Sequence, residues 1–121
     1  MSRRILVVED QEDNRRILRD LLTSAGYEMT EAVNGEEGIA LAETSRPDLI
    51  LMDIQLPGLD GYEATRRIKA NLALRAIPII AVTSYALSGY EVKAREAGCD
   101  DYVTKPFSPR ALLAKIREQL K

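Results

Sequence analysis

The chain has 121 residues and a formal net charge of −2, and 45% of its residues are hydrophobic. This length is typical of one globular domain whose core needs no disulfide, and the slightly acidic balance argues against a nucleic-acid-binding module. The chain has no histidine and one cysteine, which excludes an imidazole base, a histidine-bound metal and a thiolate zinc site. Catalysis or metal binding must therefore use carboxylates, hydroxyls, lysine and the backbone.

The distribution of apolar residues indicates neither a membrane span nor an export signal. The longest apolar runs, such as residues 77–82, are far shorter than the ~20 residues that cross a bilayer. The apolar stretch near the N-terminus is too short for the core of a signal peptide. We therefore expect a cytoplasmic protein without membrane association. We also expect a monomer, with a dimer as the alternative.

Short apolar runs alternate along the chain with segments of helical spacing. The runs predict strands over residues 4–8, 27–33, 48–52, 77–82 and 102–103. The helical spacing and the Gly or Pro residues at segment ends predict helices over residues 12–25, 36–44, 62–70, 87–97 and 110–120. In the second helix we expect Ile39, Ala40 and Leu41 to face inward. Strict alternation of strands and helices predicts an α/β fold with a doubly wound parallel sheet covered by helices on both faces.

Polar residues follow the predicted strands at their carboxyl ends, where parallel sheets bind ligands. In chain order these residues are Glu9, Asp10, Asp53, Thr83, Ser84, Thr104, Lys105 and Pro106. If the first, third and fourth strands are neighbours, one edge of the sheet gathers three carboxylates, two hydroxyls and an ammonium. Taken singly, each residue has an ordinary explanation, such as a helix cap for Asp10 or a solvated charge for Lys105. Their shared placement favours a functional site.

Three carboxylates at one edge repel one another and require a cation. Without histidine or cysteine ligands, the suitable cation is Mg²⁺ or Mn²⁺, for which a phosphate oxygen is a natural further ligand. Lys105 supplies a positive charge for a phosphoryl group, and Thr83 supplies a hydroxyl donor. The set therefore predicts phosphoryl transfer, with a carboxylate, most simply Asp53, as the nucleophile.

Four stretches carry a resemblance to a known family. They are residues 5–10 (ILVVED), 48–61 (DLILMDIQLPGLDG), 79–83 (IIAVT) and 98–106 (GCDDYVTKP). Over nearly its full length the chain resembles the receiver domain of two-component response regulators, most closely single-domain regulators of the DivK type and the receivers of hybrid kinases. The resemblance implies a five-stranded (βα)5 sheet of flavodoxin-like order 2-1-3-4-5. It also implies one receiver domain over residues 1–121 with no output domain.

The resemblance further implies roles for individual residues. Asp53 matches the phosphoacceptor, whose donor is a phosphohistidine on a sensor histidine kinase or a histidine phosphotransfer protein. The implied ligands of Mg²⁺ are Glu9 (mainly through water), Asp10, Asp53 and the backbone carbonyl of Gln55. The implied switch residues are Thr83, whose hydroxyl turns toward the phosphoryl group, Lys105, which pairs with that group, Pro106, expected after a cis bond, and Tyr102, which swings inward after Thr83.

One position departs from the family pattern, because Ser84 stands where Ala or Gly is usual. With Tyr85 and Gln55 it is a candidate modulator of access and dephosphorylation. The resemblance implies a signalling protein that catalyses its own phosphorylation, and self-catalysed dephosphorylation stays open. Phosphorylation would change the face formed by the fourth helix, the fifth strand and the fifth helix, which a downstream protein reads.

Three other functions are compatible with parts of the pattern. A flavodoxin-like electron carrier shares the topology, but acids at positions 9, 10, 12 and 13 would repel a flavin phosphate. A degenerate receiver that only binds proteins should lack one of Asp53, Thr83 and Lys105, which are all present. A Mg²⁺-dependent phosphatase would need a second acid two residues after Asp53, where Gln55 stands.

Overall fold

The computed structural model describes residues 2–84 and 88–121, apart from the side chains of Ser88 and Tyr90. Its strands are β1 (Arg4–Val8), β2 (Glu28–Ala32), β3 (Leu49–Asp53), β4 (Ile79–Thr83) and β5 (Asp101–Thr104). Its helices are α1 (Glu12–Ser24), α2 (Gly35–Ser45), α3 (Gly61–Ala70), α4 (Ser88–Ala97) and α5 (Pro109–Gln119). The predicted alternation of strands and helices is confirmed.

The strands form one parallel sheet in the order β2-β1-β3-β4-β5, which confirms the predicted topology. Strands β1, β3 and β4 are therefore neighbours. Val8 pairs with Met52, so Glu9 and Asp53 follow side by side at the carboxyl edge. In the same register Asp53 lies beside Val82 and Thr83 beside Thr104. The order of the strands thus brings the predicted site residues to one edge.

The core consists of two clusters, one on each face of the sheet. Alternate residues of a strand point to opposite faces: Leu6 and Val8 pack toward α2, α3 and α4, whereas Ile5 and Val7 pack toward α1 and α5. All four side chains are almost completely inaccessible to solvent. Burial on both faces explains why β1, β3 and β4 are almost continuous runs of apolar residues.

The inward face of α2 differs from the prediction. Ala40 is exposed, while Ala42 is buried together with Gly35 and Gly38. Gly38 and Ala42 are four residues apart and therefore lie on the same side of the helix, away from Ala40. A Cβ atom on Gly38 would lie 2.8 Å from a methyl group of Val8. The small residues thus let α2 approach β1 closely.

The bounds of two strands near the site also differ from the prediction. Strand β3 includes Asp53, and β4 begins only after Pro78 and includes Thr83. Proline has no backbone N–H and suits the position before a strand. In the described part of the chain, no helix has the length and apolar character required to cross a membrane.

Candidate functional site

The site is built around three carboxylates that come from two neighbouring strands. Glu9 and Asp10 follow β1, and Asp53 ends β3. One oxygen from each lies within 4.8 Å of the others. Glu9 is 2% exposed and Asp53 is 4% exposed, whereas Asp10 is half-buried. Two carboxylates that are almost removed from water require a positive charge beside them.

Lys105 provides positive charge at this site. Its Nζ lies 2.7 Å from Glu9 Oε1 and 3.4 Å from Asp53 Oδ2. Burial lowers the pKa of the Lys105 ammonium, but the hydrogen bond to Glu9 and the charge of Asp53 outweigh burial and hold that pKa above its usual value. Lys105 follows β5, and the peptide bond between Lys105 and Pro106 is cis. The predicted pairing partner of a phosphoryl group therefore already contacts the predicted phosphoacceptor.

Gln55 connects the loop after β3 to the end of β4. Its backbone N–H donates to Asp53 Oδ1 at 2.9 Å. Its side-chain Nε2 donates to Thr83 Oγ1 at 3.0 Å, and its Oε1 accepts from the Ser84 N–H at 3.0 Å. The sequence analysis predicted a metal-binding backbone carbonyl and a modulating role for this residue, but it missed these side-chain contacts. The available signal was an amide two residues after Asp53 opposite consecutive hydroxyl residues at the next strand end.

The turn after β1 is held by a residue that sequence reasoning did not include in the site. Arg15 of α1 donates from Nη1 to the Glu9 carbonyl oxygen at 2.9 Å and from Nε to Glu31 of β2 at 3.2 Å. The Gln11 N–H donates to Glu9 Oε2 at 3.0 Å. These bonds fix the backbone and the carboxylate of Glu9 relative to the sheet. Arg15 therefore helps to hold the acidic cluster in place without contacting its carboxylate oxygens.

The start of α3 lies directly against Asp53. Asp60 caps this helix by accepting from the Glu63 N–H at 2.9 Å, as short polar residues do at helix starts. Gly61 donates its N–H to the Ile54 carbonyl at 3.1 Å. A Cβ atom on Gly61 would lie 2.7 Å from Ile54 Cα. Only glycine allows this approach, which closes the loop between β3 and α3 tightly beneath the site.

The remaining predicted residues lie around this centre. Thr83 is fully buried at the end of β4, and Ser84 and Pro106 are exposed. Tyr102 is half-buried in β5 against the core cluster on the α4 side of the sheet. Burial of the Tyr102 hydroxyl, and then the charge of Glu91, raise its pKa. Tyr85, a predicted modulator of access, lies outside the described residues.

A cavity of about 340 Å³ opens beside the acidic cluster. Its lining consists of four polar and four apolar residues, which are Glu9, Asn14, Ser84 and Lys105, and Ile17, Leu18, Pro106 and Phe107. The Ile17 side chain is 56% exposed. The cavity thus gives a second molecule a partly apolar approach to the carboxylates.

The donor set fits a hard divalent cation. Clustered carboxylate oxygens are the ligands that Mg²⁺ accepts, together with water and phosphate oxygens. The cluster of Glu9, Asp10 and Asp53 supplies such oxygens within one site. Lys105, Thr83 and the Gln55 amide add donors for an anion beside the cation. This combination suits charge neutralisation during phosphoryl transfer.

The chain matches a known family over most of its length. The sequence pattern of the response regulator receiver domain family matches residues 5–117. The polar-differentiation response regulator DivK of Brucella anthropi is 44% identical over 120 residues, which cover 99% of this chain and 98% of the relative. DivK of Brucella ovis is 42% identical over the same length and the same shares of both chains.

Solved structures show the same similarity. The receiver domain of sensor histidine kinase PA1611 from Pseudomonas aeruginosa has a TM-score of 0.92 at 40% identity, covering 99% of this chain and 98% of that one. That structure holds a magnesium ion coordinated in its active site cleft. The chemotaxis protein CheY4 of Vibrio cholerae has a TM-score of 0.93 at 27% identity, covering 99% and 100% of the two chains.

Proposed function

Because the chain belongs to the response regulator receiver domain family and is a phosphoacceptor signalling protein, we propose that Asp53 is the residue that accepts the phosphoryl group. The observation that carries this proposal is the contact of Lys105 with both Glu9 and Asp53. Asp53 is the carboxylate at the end of β3 that lies between the acidic pair and the Thr83 hydroxyl in strand order. The metal would therefore lie on the side of Asp53 that faces the acidic pair, and the Thr83 hydroxyl lies toward its other side.

We propose that Mg²⁺, or Mn²⁺, is held by Asp10 and Asp53 directly, by Glu9 mainly through water, and by the Gln55 carbonyl oxygen. The clustering of the three carboxylates supports this ligand set. When bound, the cation would supply neutralising charge to the phosphoryl oxygens and to the carboxylates. Lys105 supplies a second positive charge that contacts both Glu9 and Asp53.

The proposed reaction is an in-line transfer from a phosphohistidine to Asp53. An Asp53 carboxylate oxygen attacks the phosphorus, an O–P bond forms, and the N–P bond to the imidazole breaks. The imidazole nitrogen keeps the electron pair of the broken bond. Lys105 pairs with the phosphoryl oxygens and the Thr83 hydroxyl donates to one of them. The protein thus catalyses its own phosphorylation, and its own dephosphorylation is an additional prediction that involves Gln55, Ser84 and Tyr85.

The new charge on Asp53 biases a switch rather than creating a new conformation. Thr83 turns toward the phosphoryl group, the backbone after β4 follows, and Tyr102 moves inward. The face formed by α4, β5 and α5 then changes shape and binds a downstream protein. Val92, which is 56% exposed on α4, offers an apolar contact on this face.

The donor partner is a sensor histidine kinase or a histidine phosphotransfer protein, since this chain has no histidine of its own. We propose that it docks in the cavity lined by Ile17, Pro106 and Phe107, because Glu9 and Lys105 of the acidic site line the same cavity. The donor imidazole would thereby reach the carboxylates. The monomeric state, the cytoplasmic location and the single-domain organisation over residues 1–121 stay predictions.

Incubation with acetyl phosphate and Mg²⁺, followed by intact-mass measurement, tests the proposal. We expect one added phosphoryl group on the wild type and none on Asp53→Asn. Asp13→Asn is the matched control, because Asp13 is an exposed acid of α1 whose side chain is 89% accessible, and it should be labelled like the wild type. An unlabelled wild type would instead support a receiver that only binds proteins. Equal labelling of Asp53→Asn and the wild type would mean that another residue is the phosphoacceptor.

A further inference from the structure

The Gln55 side chain joins two loops that the proposed switch must separate or rearrange. Its Nε2 donates to Thr83 Oγ1 and its Oε1 accepts from the Ser84 N–H, both at 3.0 Å. We propose that this carboxamide is a latch that holds Thr83 and Ser84 in the unphosphorylated arrangement, so that Gln55 sets how readily the protein switches. The inference rests on the proposed function, because it takes Thr83 as the switch residue.

The two bonds fix consecutive residues through one rigid group. A carboxamide is planar and offers a donor and an acceptor at a fixed separation. Thr83 is fully buried and Gln55 is half-buried, so water competes poorly for at least one of the two bonds. Turning the Thr83 side chain and shifting the Ser84 backbone together would break both bonds. The latch therefore opposes the two movements that the switch requires.

The latch is also tied to the reacting carboxylate. The Gln55 N–H donates to Asp53 Oδ1 at 2.9 Å. A hydrogen bond to an ionised carboxylate is stronger than one to a neutral oxygen. When an Asp53 oxygen is phosphorylated, the carboxylate becomes an acyl phosphate whose negative charge lies on the phosphoryl oxygens, and the hydrogen bond that anchors Gln55 changes at the same time. Phosphorylation thus affects the hydrogen bonds of both the backbone N–H and the side-chain carboxamide of Gln55.

The Gln55 side-chain oxygen also accepts the hydrogen bond of a backbone donor near the site, the Ser84 N–H. A backbone N–H carries one proton, and that of Ser84 is given to Gln55 Oε1. A phosphoryl oxygen on Asp53 cannot use this N–H until the carboxamide leaves it. Gln55 is in this sense a competing internal acceptor. Its side chain is therefore a positioning group for the switch. This role is separate from the proposed binding of the Gln55 backbone carbonyl to a metal.

Removing the latch should favour the active arrangement before any phosphorylation. A ligand that selects one of two conformations binds more tightly when that conformation is more populated. Because Ser84 is exposed, we take both neutral hydrogen bonds at the low end of their usual strength, and their loss from the inactive arrangement then changes the balance by about three- to tenfold. A phosphoryl mimic that is not hydrolysed separates this effect from any effect of Gln55 on the attack of water.

The experiment compares Gln55→Met with the wild type and with Gln119→Met. Methionine keeps the length of glutamine without its donor and acceptor, and Gln119 is the last residue of α5, so it is a matched control. The affinity for beryllofluoride in saturating Mg²⁺ is measured by titration calorimetry. Exchange of the Ser84 amide hydrogen is followed by nuclear magnetic resonance without ligand. Gln55→Ala serves as a second variant if Gln55→Met does not fold.

We expect Gln55→Met to bind beryllofluoride three- to tenfold more tightly than the wild type and to exchange the Ser84 hydrogen faster, with Gln119→Met unchanged in both. Equal or weaker binding by Gln55→Met overturns the latch while leaving the proposed function in place. Rapid exchange of the Ser84 hydrogen in the wild type also overturns it, because the bond to Gln55 would then be absent. If the wild type does not bind beryllofluoride, the proposed function fails and the latch fails with it.

Discussion

Lys105 donates a 2.7 Å hydrogen bond to Glu9, a residue 96 positions away in the sequence. The bond joins the end of β5 to the end of β1, with Asp53 of β3 at 3.4 Å from the same ammonium. Lys105 therefore acts as a cation for carboxylates that a metal would also neutralise. A lysine and a divalent cation that share the same carboxylates compete for their negative charge.

This competition predicts that Lys105→Met binds Mg²⁺ more tightly than the wild type. Removing one positive charge a few ångströms from a divalent cation changes the binding energy by at least about 1 kcal/mol, the value for unit charges in bulk water, and the expected gain in affinity is at least about fivefold. The variant should be less stable without metal, because Glu9 and Asp53 lose a partner while they remain buried. Added Mg²⁺ should therefore raise the melting temperature of the variant more than that of the wild type.

Titration calorimetry with Mg²⁺ measures the affinity, and Lys121→Met is the control. The Lys121 side chain is 79% exposed, so its replacement removes the same charge from a position that is in contact with solvent. We expect Lys121→Met to match the wild type. Weaker Mg²⁺ binding by Lys105→Met would contradict the competition and would mean that Lys105 orders the carboxylates for the metal.

The placement of the main site residues was predictable because of one regularity of parallel sheets. Residues that follow neighbouring strands meet at one edge, and the apolar runs located the ends of β1, β3 and β4 to within one residue. That was enough to bring Glu9, Asp53 and Thr83 together. The resemblance to receivers added roles for these residues that spacing alone does not supply.

The contacts that individual side chains make around the site were not predictable in the same way. The contacts of Gln55 with Thr83 and Ser84 depend on the loop after β3 turning its amide toward β4, which no periodicity encodes. The Arg15 contact with the Glu9 carbonyl depends on the rotation of α1 about its axis. The wrong inward position of Ala40 has a similar origin, because a short helix with few large apolar residues gives a weak pattern.

Cys99 should react slowly with thiol reagents in the folded protein. Burial raises the pKa of this thiol from an ordinary value of 9.0 to about 11, although its hydrogen bond to the Thr65 hydroxyl opposes the rise. At pH 8 the thiolate fraction is therefore about 100-fold lower than in the unfolded chain. Labelling by a disulfide reagent, with and without denaturing urea, measures the difference. Equal rates in the two conditions would contradict the buried position.

The same shift predicts a pH dependence of stability. The unfolded chain releases the Cys99 proton at lower pH than the folded protein does, so the thiol favours unfolding as the pH rises from about 9 to about 11. Cys99→Ala lacks this group, and its unfolding midpoint in urea should fall less steeply over that range than the midpoint of the wild type. Parallel pH profiles for the two proteins would contradict the raised pKa.

Gly61→Ala should destabilise the fold, because the added Cβ would lie 2.7 Å from Ile54 Cα in the loop beside Asp53. Backbone atoms cannot yield as a flexible side chain can, and we expect a loss of about 3 kcal/mol or more in urea unfolding. Gly89→Ala is the control, since a Cβ there meets nothing within 4 Å. It should stabilise helix α4 by up to about 1 kcal/mol.

Ile17 and Val92 provide a matched test of the proposed input and output surfaces. Each side chain is 56% exposed, but Ile17 of α1 lines the cavity beside Lys105, whereas Val92 lies on α4. A glutamate in an apolar docking site costs binding energy because its charge loses water on complex formation. The quantity to compare is the phosphorylation rate with a protein donor divided by the rate with acetyl phosphate, which needs no docking.

Ile17→Glu should lower this ratio by at least tenfold, and Val92→Glu should leave it at the wild-type value. The protein donor is a phosphorylated histidine phosphotransfer protein that labels the wild type, and both rates are followed by intact mass. Val92→Glu should instead lose affinity for a protein captured only by the phosphorylated wild type. A lowered ratio in Val92→Glu, together with an unchanged one in Ile17→Glu, would place the donor on the α4 face and would reverse the two surfaces.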